Sequence, residues 1–63
     1  MDAYETGLLV QAFACNARVA GMVAENEQRQ QCGNSIAYGV EAFSLEADLL
    51  EHLASALKML GHR

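Results

Sequence analysis

The stretch that decides the fold is LLVQAFACNARVAGMVAEN, which runs from Leu8 to Asn26. Residues that can pack recur in it at alternating intervals of four and three, the spacing of a helix that packs along one side. The positions with this spacing are Leu8, Ala12, Cys15, Val19, Met22 and Asn26. The chain contains no proline, and Gly33 followed by Asn34 is a helix stop signal. The sequence therefore predicts one long helix over about residues 2–32.

Other sides of this helix are also apolar. A second line of apolar residues consists of Leu9, Phe13, Ala20 and Val23. Small residues recur along another side at spacings of three, four and seven, namely Gly7, Ala14, Ala17, Gly21 and Ala24. A row of small residues lets another backbone come close, which offsets the ~1 kcal/mol that each interior glycine costs. We expect close packing there, the alternative being that these are ordinary residues that a helix tolerates.

A second helix is predicted over about residues 44–60. Ser44 is a good N-cap, and Glu46 and Asp48 lie in the first turns, where the helix dipole favours negative charge. Gly61 ends the pattern. The apolar face of this helix consists of Leu45, Leu49, Leu50, Leu53, Leu57 and Leu60. The connection is irregular, although Ser35 could cap a short turn through residues 36–43.

The two helices differ in length, and this difference has a consequence for assembly. A helix of about 17 residues is ~25 Å long and, folded back antiparallel, covers only the second half of the first helix. The apolar residues left exposed would be Tyr4, Leu8, Leu9, Val10 and Phe13. An exposed apolar surface of this kind usually marks an interface, and closed homo-oligomers are the commonest assemblies. We therefore expect an all-α chain, one domain over residues 1–63, that forms an antiparallel helical hairpin within a homo-oligomeric bundle.

Composition and charge exclude several classes of protein. The chain has 63 residues, 52% of them hydrophobic, with eight acidic and four basic residues and a formal net charge of −4. The basic residues form no run, which argues against binding in a DNA groove. The N-terminal segment carries Asp2 and Glu5 where a signal peptide has positive charge, and we see no apolar run of transmembrane length. We therefore expect a cytoplasmic protein with no membrane association.

Neither cysteines nor histidines form a chemical motif. Cys15 and Cys32 would be about 25 Å apart on one helix, too distant for a disulfide, and are typical of cytosolic thiols. No His or Cys has the spacing of a metal site, and His52 and His62 are not placed to share a site. No nucleotide-binding or hydrolase motif is present. We predict no catalysis, no cofactor and no metal.

Binding of a small ligand is a better prospect. Arg18 and Arg29 are eleven residues apart, which places them on nearly the same helix face, and Asn26 adjoins that face. Tyr38 could stack on a base, and Asn34 or Ser35 could offer contacts near a helix start. If two copies align their long helices, these donors would be presented in pairs, an arrangement that suits phosphates and base edges. The predicted ligand-binding residues are Arg18, Asn26, Arg29, Ser35 and Tyr38.

Most of these residues also have a structural interpretation. Glu25 and Arg29 have the i,i+4 spacing of a surface salt bridge. Asn26 falls on the heptad line, where a buried Asn can fix register. Asn34 after Gly33 is typical of a turn, and Tyr38 of a core residue with its hydroxyl at the rim. Arg18 is different, because it has no acidic residue three or four positions away.

The segment from Gly21 to Phe43 resembles a family of small, mostly uncharacterised proteins of bacteriophages and prophages, with the pattern G-M-x-A-E-N-x-x-R-x-x-x-G-x-S-x-A-Y-x-x-x-x-F. The matching positions are Gly21, Met22, Ala24, Glu25, Asn26, Arg29, Gly33, Ser35, Ala37, Tyr38 and Phe43. The resemblance implies a counter-defence protein in the cytoplasm of a host cell. Our leading hypothesis is a protein that sequesters a small nucleotide immune signal, either a cyclic oligonucleotide or an NAD-derived one. The alternatives are an inhibitor that binds a host defence complex and a structural helical accessory protein.

Overall fold

The computed structural model describes residues 1–61, which form two packed helices. Helix α1 spans Ala3–Gln31 and helix α2 spans Val40–Gly61. They lie side by side in a layer with principal extents of 52 × 18 × 10 Å. The predicted all-α hairpin is confirmed, and the ends of α1 agree with the prediction to within one residue. His62, which the sequence predicts not to share a site with His52, lies outside the described residues.

Both ends of α1 are capped by local hydrogen bonds. At the start, the Glu5 N–H donates to the Asp2 carboxylate at 2.8 Å, which satisfies one of the free N–H groups of the first turn. At the end, the N–H groups of Gly33 and Asn34 donate to the carbonyls of Gln30 and Arg29 at 3.1 and 2.7 Å. Gly33 has a φ of +79°, the left-handed conformation that this C-terminal motif requires. The predicted stop at Gly33 is therefore confirmed.

Helix α2 begins four residues earlier than predicted. The Gly39 carbonyl accepts the first helical hydrogen bonds, from the N–H groups of Ala42 at 3.1 Å and Phe43 at 3.5 Å. Ser44 therefore lies inside the helix, and its prediction as the N-cap is wrong. Ser35 caps no helical turn either, because no helix forms between Asn34 and Gly39. Residues 40–43 contain no helix breaker, so the helix continues back to the glycine that precedes them.

The heptad line of α1 faces α2. Leu8, Cys15 and Met22, seven residues apart, are buried, and the other residues of the line, Ala12, Val19 and Asn26, are half-buried. In α2, Leu53 is the buried residue. Of the second apolar line, Leu9 is half-buried, whereas Phe13, Ala20 and Val23 are exposed. The first line is thus the interhelical contact and the second is not.

The longer α2 covers more of α1 than the sequence indicated. With 22 residues, α2 extends ~33 Å at 1.5 Å per residue and reaches the N-terminal half of α1. Leu8 is consequently only 8% exposed, which corrects the prediction that α2 leaves it exposed. Tyr4 and Phe13 remain 63% and 68% exposed, and Val10 is exposed as well. The apolar surface open to a partner therefore excludes Leu8 but includes Tyr4, Val10 and Phe13.

Helix α1 is also long and apolar enough, by length and composition, to cross a membrane. It contains an 18-residue window with a mean hydropathy of 1.3, of which 17% is buried within the hairpin. The prediction that no such run exists is wrong by this criterion, because alanines raise the mean hydropathy without forming a continuous run of large apolar residues. The buried core helix of a soluble protein and an N-terminal signal sequence both meet the same criterion.

Candidate functional site

The strongest polar contact between the helices joins Arg18 of α1 to Glu46 of α2. Arg18 Nε donates to Glu46 Oε1 at 2.8 Å, and Nη2 donates to Oε2 at 3.0 Å. Two parallel N–H···O bonds of this kind give an arginine–carboxylate pair both energy and geometric specificity. The charge partner of Arg18 therefore comes from the other helix and not from its own.

The thiol of Cys15 completes this contact from the buried side. Cys15 is 0% exposed, and its Sγ donates to Glu46 Oε2 at 2.9 Å and lies 3.3 Å from the Glu46 carbonyl oxygen. We call Cys15, Arg18 and Glu46 the interhelical cluster. The cluster satisfies the thiol within the packing surface, so that a polar group is buried without an unpaired donor.

The pKa values of the cluster determine which of its groups are charged and which are neutral. The hydrogen bonds from Arg18 and then from Cys15 lower the pKa of Glu46 from 4.5 to about 2. The pKa of Cys15 is raised, first by its hydrogen bond to Glu46 and then by burial and the nearby carboxylate. At neutral pH the cluster therefore holds an ionised carboxylate, a guanidinium and a protonated thiol. A protonated, inaccessible thiol is a poor nucleophile.

An open cavity lies beside the cluster, between the second half of α1 and the start of α2. Its volume is about 450 Å³, and it is lined by Arg18, Gly21, Met22, Tyr38, Ala42, Leu45 and Glu46. Four of these residues, Gly21, Met22, Ala42 and Leu45, are apolar. The polar side is the Arg18–Glu46 pair, whose charges neutralise each other, together with Tyr38. The cavity thus favours an apolar or planar group over a phosphate.

Asn26 attaches the connection between the helices to α1. Its Oδ1 accepts from the N–H groups of Ala37 and Tyr38, both at 3.0 Å, and its Nδ2 donates to the Tyr38 carbonyl at 2.8 Å. All three bonds cross to a segment that has no helical hydrogen bonds of its own. Asn26 thereby positions Tyr38 beside the cavity, while its predicted contact with a ligand stays a prediction.

Arg29 lies apart from Arg18. Its Nε is 3.7 Å from Glu25 Oε1, which is the i,i+4 pair expected from the sequence. A second open cavity of about 290 Å³ is lined by Glu25, Gln28, Arg29, Cys32 and Asn34. The two arginines line different cavities, and Ser35 is exposed and lines neither of these two. Of the five predicted ligand-binding residues, the hairpin brings Arg18 and Tyr38 together at one cavity.

Sequence reasoning missed the roles of Cys15 and Glu46. Glu46 was interpreted only as an acidic residue near a helix start. A signal was nevertheless present, because Glu46 precedes the buried Leu53 by seven residues and therefore lies on the same side of α2. Pairing that side with the heptad line of α1 in an antiparallel hairpin brings Glu46 to the level of Cys15 and Arg18.

Neither a metal site nor a known relative indicates the function of the described residues. Within residues 1–61, no group of three or more His, Cys, Asp or Glu side chains could hold a metal ion. No protein-family model, curated protein or solved structure matches the chain. The resemblance to phage proteins stays a prediction, and function is inferred from the geometry of the hairpin.

Proposed function

We propose that the protein is a non-catalytic protein-interaction module whose exposed apolar surface is covered by another protein chain. The observation that carries this proposal is the imbalance between its small core and its large apolar surface. Among residues 1–61, only four hydrophobic side chains are buried, while ten large hydrophobic side chains are exposed. The exposed ones are Met1, Tyr4, Val10, Phe13, Val23, Ile36, Val40, Leu45, Leu49 and Met59.

The accessible surface of one chain supports the same proposal. The hairpin exposes 4711 Å², whereas a compact monomer of 6.8 kDa exposes about 3,950 Å² by the usual scaling of area with mass. The difference is about 750 Å². A protein–protein interface of standard size buries about 800 Å² on each partner. One such interface would bring the exposed area per chain down to the value expected for a compact protein.

The chemistry of the interhelical cluster supports a role without catalysis. The charges of Arg18 and Glu46 neutralise each other, and the Cys15 thiol is buried and protonated. Catalytic groups are normally accessible to a substrate and have pKa values close to the working pH. The cluster instead has the features of a structural contact. It links the two helices, and its guanidinium, carboxylate and thiol groups hydrogen-bond to one another.

Sedimentation velocity of the full chain over a range of concentrations tests the proposal, together with co-purification from the cells in which the gene is expressed. We expect a mass of at least two chains, or a protein partner recovered in stoichiometric amounts. A chain that remains a folded monomer and retains no protein partner at any concentration overturns the proposal. Circular dichroism on the same samples shows whether the helices are formed.

A second candidate function is sequestration of a small nucleotide ligand, and the cavity beside Tyr38 favours it. Its volume of about 450 Å³ falls within the range of ligand sites, and Tyr38 could stack on a base. The Glu46 carboxylate is the main obstacle, because it neutralises Arg18 and repels phosphates. Binding by this route requires Arg18 to exchange Glu46 for the ligand.

Isothermal titration calorimetry with cyclic oligonucleotides and NAD-derived signals tests this second function. We expect binding by the wild type, loss of binding in Arg18→Ala, and retention in the matched control Lys58→Ala near the far end of α2. Absence of heat with every ligand rules out sequestration of these signals. Interaction with protein, the first proposal, is unaffected by that result.

The biological setting is also a proposal, supported by the resemblance of Gly21 to Phe43 to phage proteins. In this setting the chain acts in the cytoplasm of a host cell and counters its defences, either by binding a defence complex or by sequestering its signal. Plating of a defence-sensitive phage on cells that express the chain tests it. A rise in plating efficiency is expected, and an unchanged efficiency across hosts with and without nucleotide signalling contradicts it.

A further inference from the structure

We infer that a second copy of the chain docks on the face of α1 that is turned away from α2. We call it the outer face and define it by Val10, Phe13, Ala14, Ala17, Gly21 and Ala24. The inference rests on the proposed function and adds to it the identity of the partner and the surface that the partner covers.

The outer face follows from the position of the buried line. At 100° per residue, Ala17 and Ala24 point roughly opposite to Leu8 and Met22, which pack against α2. All six residues of the outer face are exposed in the single chain, and Phe13 is 68% exposed. A Cβ built on Gly21 meets nothing within 4 Å. Ala17 and Ala24 therefore do not serve the packing of α2. Gly21 lies at the edge of the outer face, where it also lines the cavity beside the interhelical cluster.

The face has the pattern of a helix–helix contact. Val10, Ala14, Ala17, Gly21 and Ala24 are spaced by four, three, four and three residues, which repeats the heptad spacing of the buried line on the other side of α1. Small residues at such positions allow two helices to approach closely. Phe13 lies next to this row and provides a large apolar side chain at its edge. The exposed row thus has the features of a second packing line.

Charge argues for a partner of the same composition. Between Thr6 and Ala24, the one charged residue of α1 is Arg18, and Glu46 neutralises it. Cores of protein interfaces are depleted in charge, so this face fits another apolar face and not a charged partner. A second copy supplies such a face, and a twofold axis lets the same row be used on both sides. The surplus of about 750 Å² per chain corresponds to one interface of standard size.

Cysteine cross-linking locates the interface. The starting variant is Cys32→Ser, which removes the exposed thiol and leaves the buried Cys15. Into it we introduce Ala17→Cys on the outer face, and separately Ala54→Cys, a matched exposed position on α2. With a short bifunctional maleimide, we expect a covalent dimer from Ala17→Cys and only monomer from Ala54→Cys.

A charge substitution provides an independent test of the same face. Ala17→Glu buries an unpaired carboxylate if the copy docks there, so we expect the sedimenting mass to fall from two chains to one. Ala54→Glu is the matched control and should leave the mass unchanged. If Ala17→Glu also unfolds the hairpin, circular dichroism detects it, and the cross-linking result decides alone.

Other occupants of the outer face give different results. A dimer that cross-links through Ala54→Cys and not through Ala17→Cys overturns the choice of face but leaves the proposed function standing. A monomeric chain that binds a different protein overturns the second copy as partner and again leaves the proposed function standing. A monomeric chain that floats with neutral phosphatidylcholine vesicles shows that lipid covers α1 and overturns the inference. Cross-linking at Ala17→Cys by an oligomeric chain supports it.

Discussion

Arg18 and Glu46 lie 28 residues apart in sequence, and two hydrogen bonds of 2.8 and 3.0 Å join their side chains across the hairpin. Together with Cys15, whose Sγ lies 2.9 Å from Glu46 Oε2, they bring the middle of α1 to the second turn of α2. Apolar helix faces can slide along each other at little cost, whereas a bidentate ion pair has one good geometry. The cluster therefore selects one register among those that the apolar faces would allow.

Glu46→Gln should lower the stability of the hairpin. The substitution keeps the size of the side chain but removes the charge that pairs with Arg18, so the two N–H donors of the guanidinium lose an ionic acceptor. We expect the Tm to fall by roughly 5 °C, since a small domain is sensitive to the loss of a single contact. Glu51→Gln, at an exposed position of the same helix, is the control and should change the Tm by less than about 2 °C. Both are measured by circular dichroism at one fixed protein concentration, and equal shifts in the two variants would contradict a special role for Glu46.

The same ion pair predicts a pH dependence between about pH 4.5 and 2. The pKa of Glu46 is lowered from 4.5 to about 2, so in this range the unfolded chain binds a proton at Glu46 that the folded chain does not. Stability therefore rises with pH through this window, and the contribution of Glu46 is complete above pH 4.5 and lost as the pH falls towards 2. Because other carboxylates titrate as well, the quantity to measure is the difference in Tm between the wild type and Glu46→Gln. This difference should shrink as the pH falls, and a difference that stays constant down to pH 2 excludes the mechanism.

The two cysteines should differ strongly in reactivity. Cys32 is exposed, whereas Cys15 is buried and its pKa is raised by the hydrogen bond to Glu46. Alkylation by iodoacetamide requires an accessible thiolate, so Cys15 reacts only when the hairpin opens. We expect Cys15 to react at least ~100-fold more slowly than Cys32 in the folded chain, followed by mass spectrometry of the peptides. In urea the two rates should converge, and in Glu46→Gln the rate at Cys15 should increase; comparable rates in the native protein would count against the buried thiol.

Features that depend on neighbours in sequence were easier to predict than contacts between the two helices. The heptad line from Leu8 to Asn26 and the stop at Gly33 depend on neighbours in sequence, and both were found correctly. The start of α2 was misplaced, because Ser44 has the chemistry of an N-cap and a serine inside a helix looks the same in the sequence. The partner of Arg18 lies on the other helix, and only the register of the hairpin reveals it. For Arg29 the local alternative, an i,i+4 pair with Glu25, is present in the structure, and its predicted contact with a ligand stays a prediction.

Asn26→Ala should destabilise the chain through the connection between the helices. The substitution removes the acceptor for the Ala37 and Tyr38 N–H groups and the donor to the Tyr38 carbonyl. We expect the free energy of unfolding to fall by about 2 kcal/mol, because the part-buried N–H and carbonyl of Tyr38 lose their partners. Asn16→Ala, at an exposed position of the same helix, is the control and should stay within about 0.5 kcal/mol of the wild type. Urea denaturation measures both, and a loss in Asn26→Ala no larger than in the control shows that water replaces these bonds.

Alanine substitutions at two glycines should have opposite effects on the hairpin. Gly33 has a φ of +79°, a conformation that costs an L-residue roughly 1–2 kcal/mol, so Gly33→Ala should destabilise the chain by about that amount. Gly21 lies inside α1, and its added Cβ meets nothing within 4 Å in the single chain. Gly21→Ala should therefore stabilise the hairpin by about 1 kcal/mol through helix propensity, measured by urea denaturation at concentrations where the chain is dissociated. If a second copy packs closely on the outer face, the same methyl group obstructs it, and sedimentation should show weaker self-association. A gain in stability with unchanged self-association would mean that no second helix approaches α1 closely at Gly21.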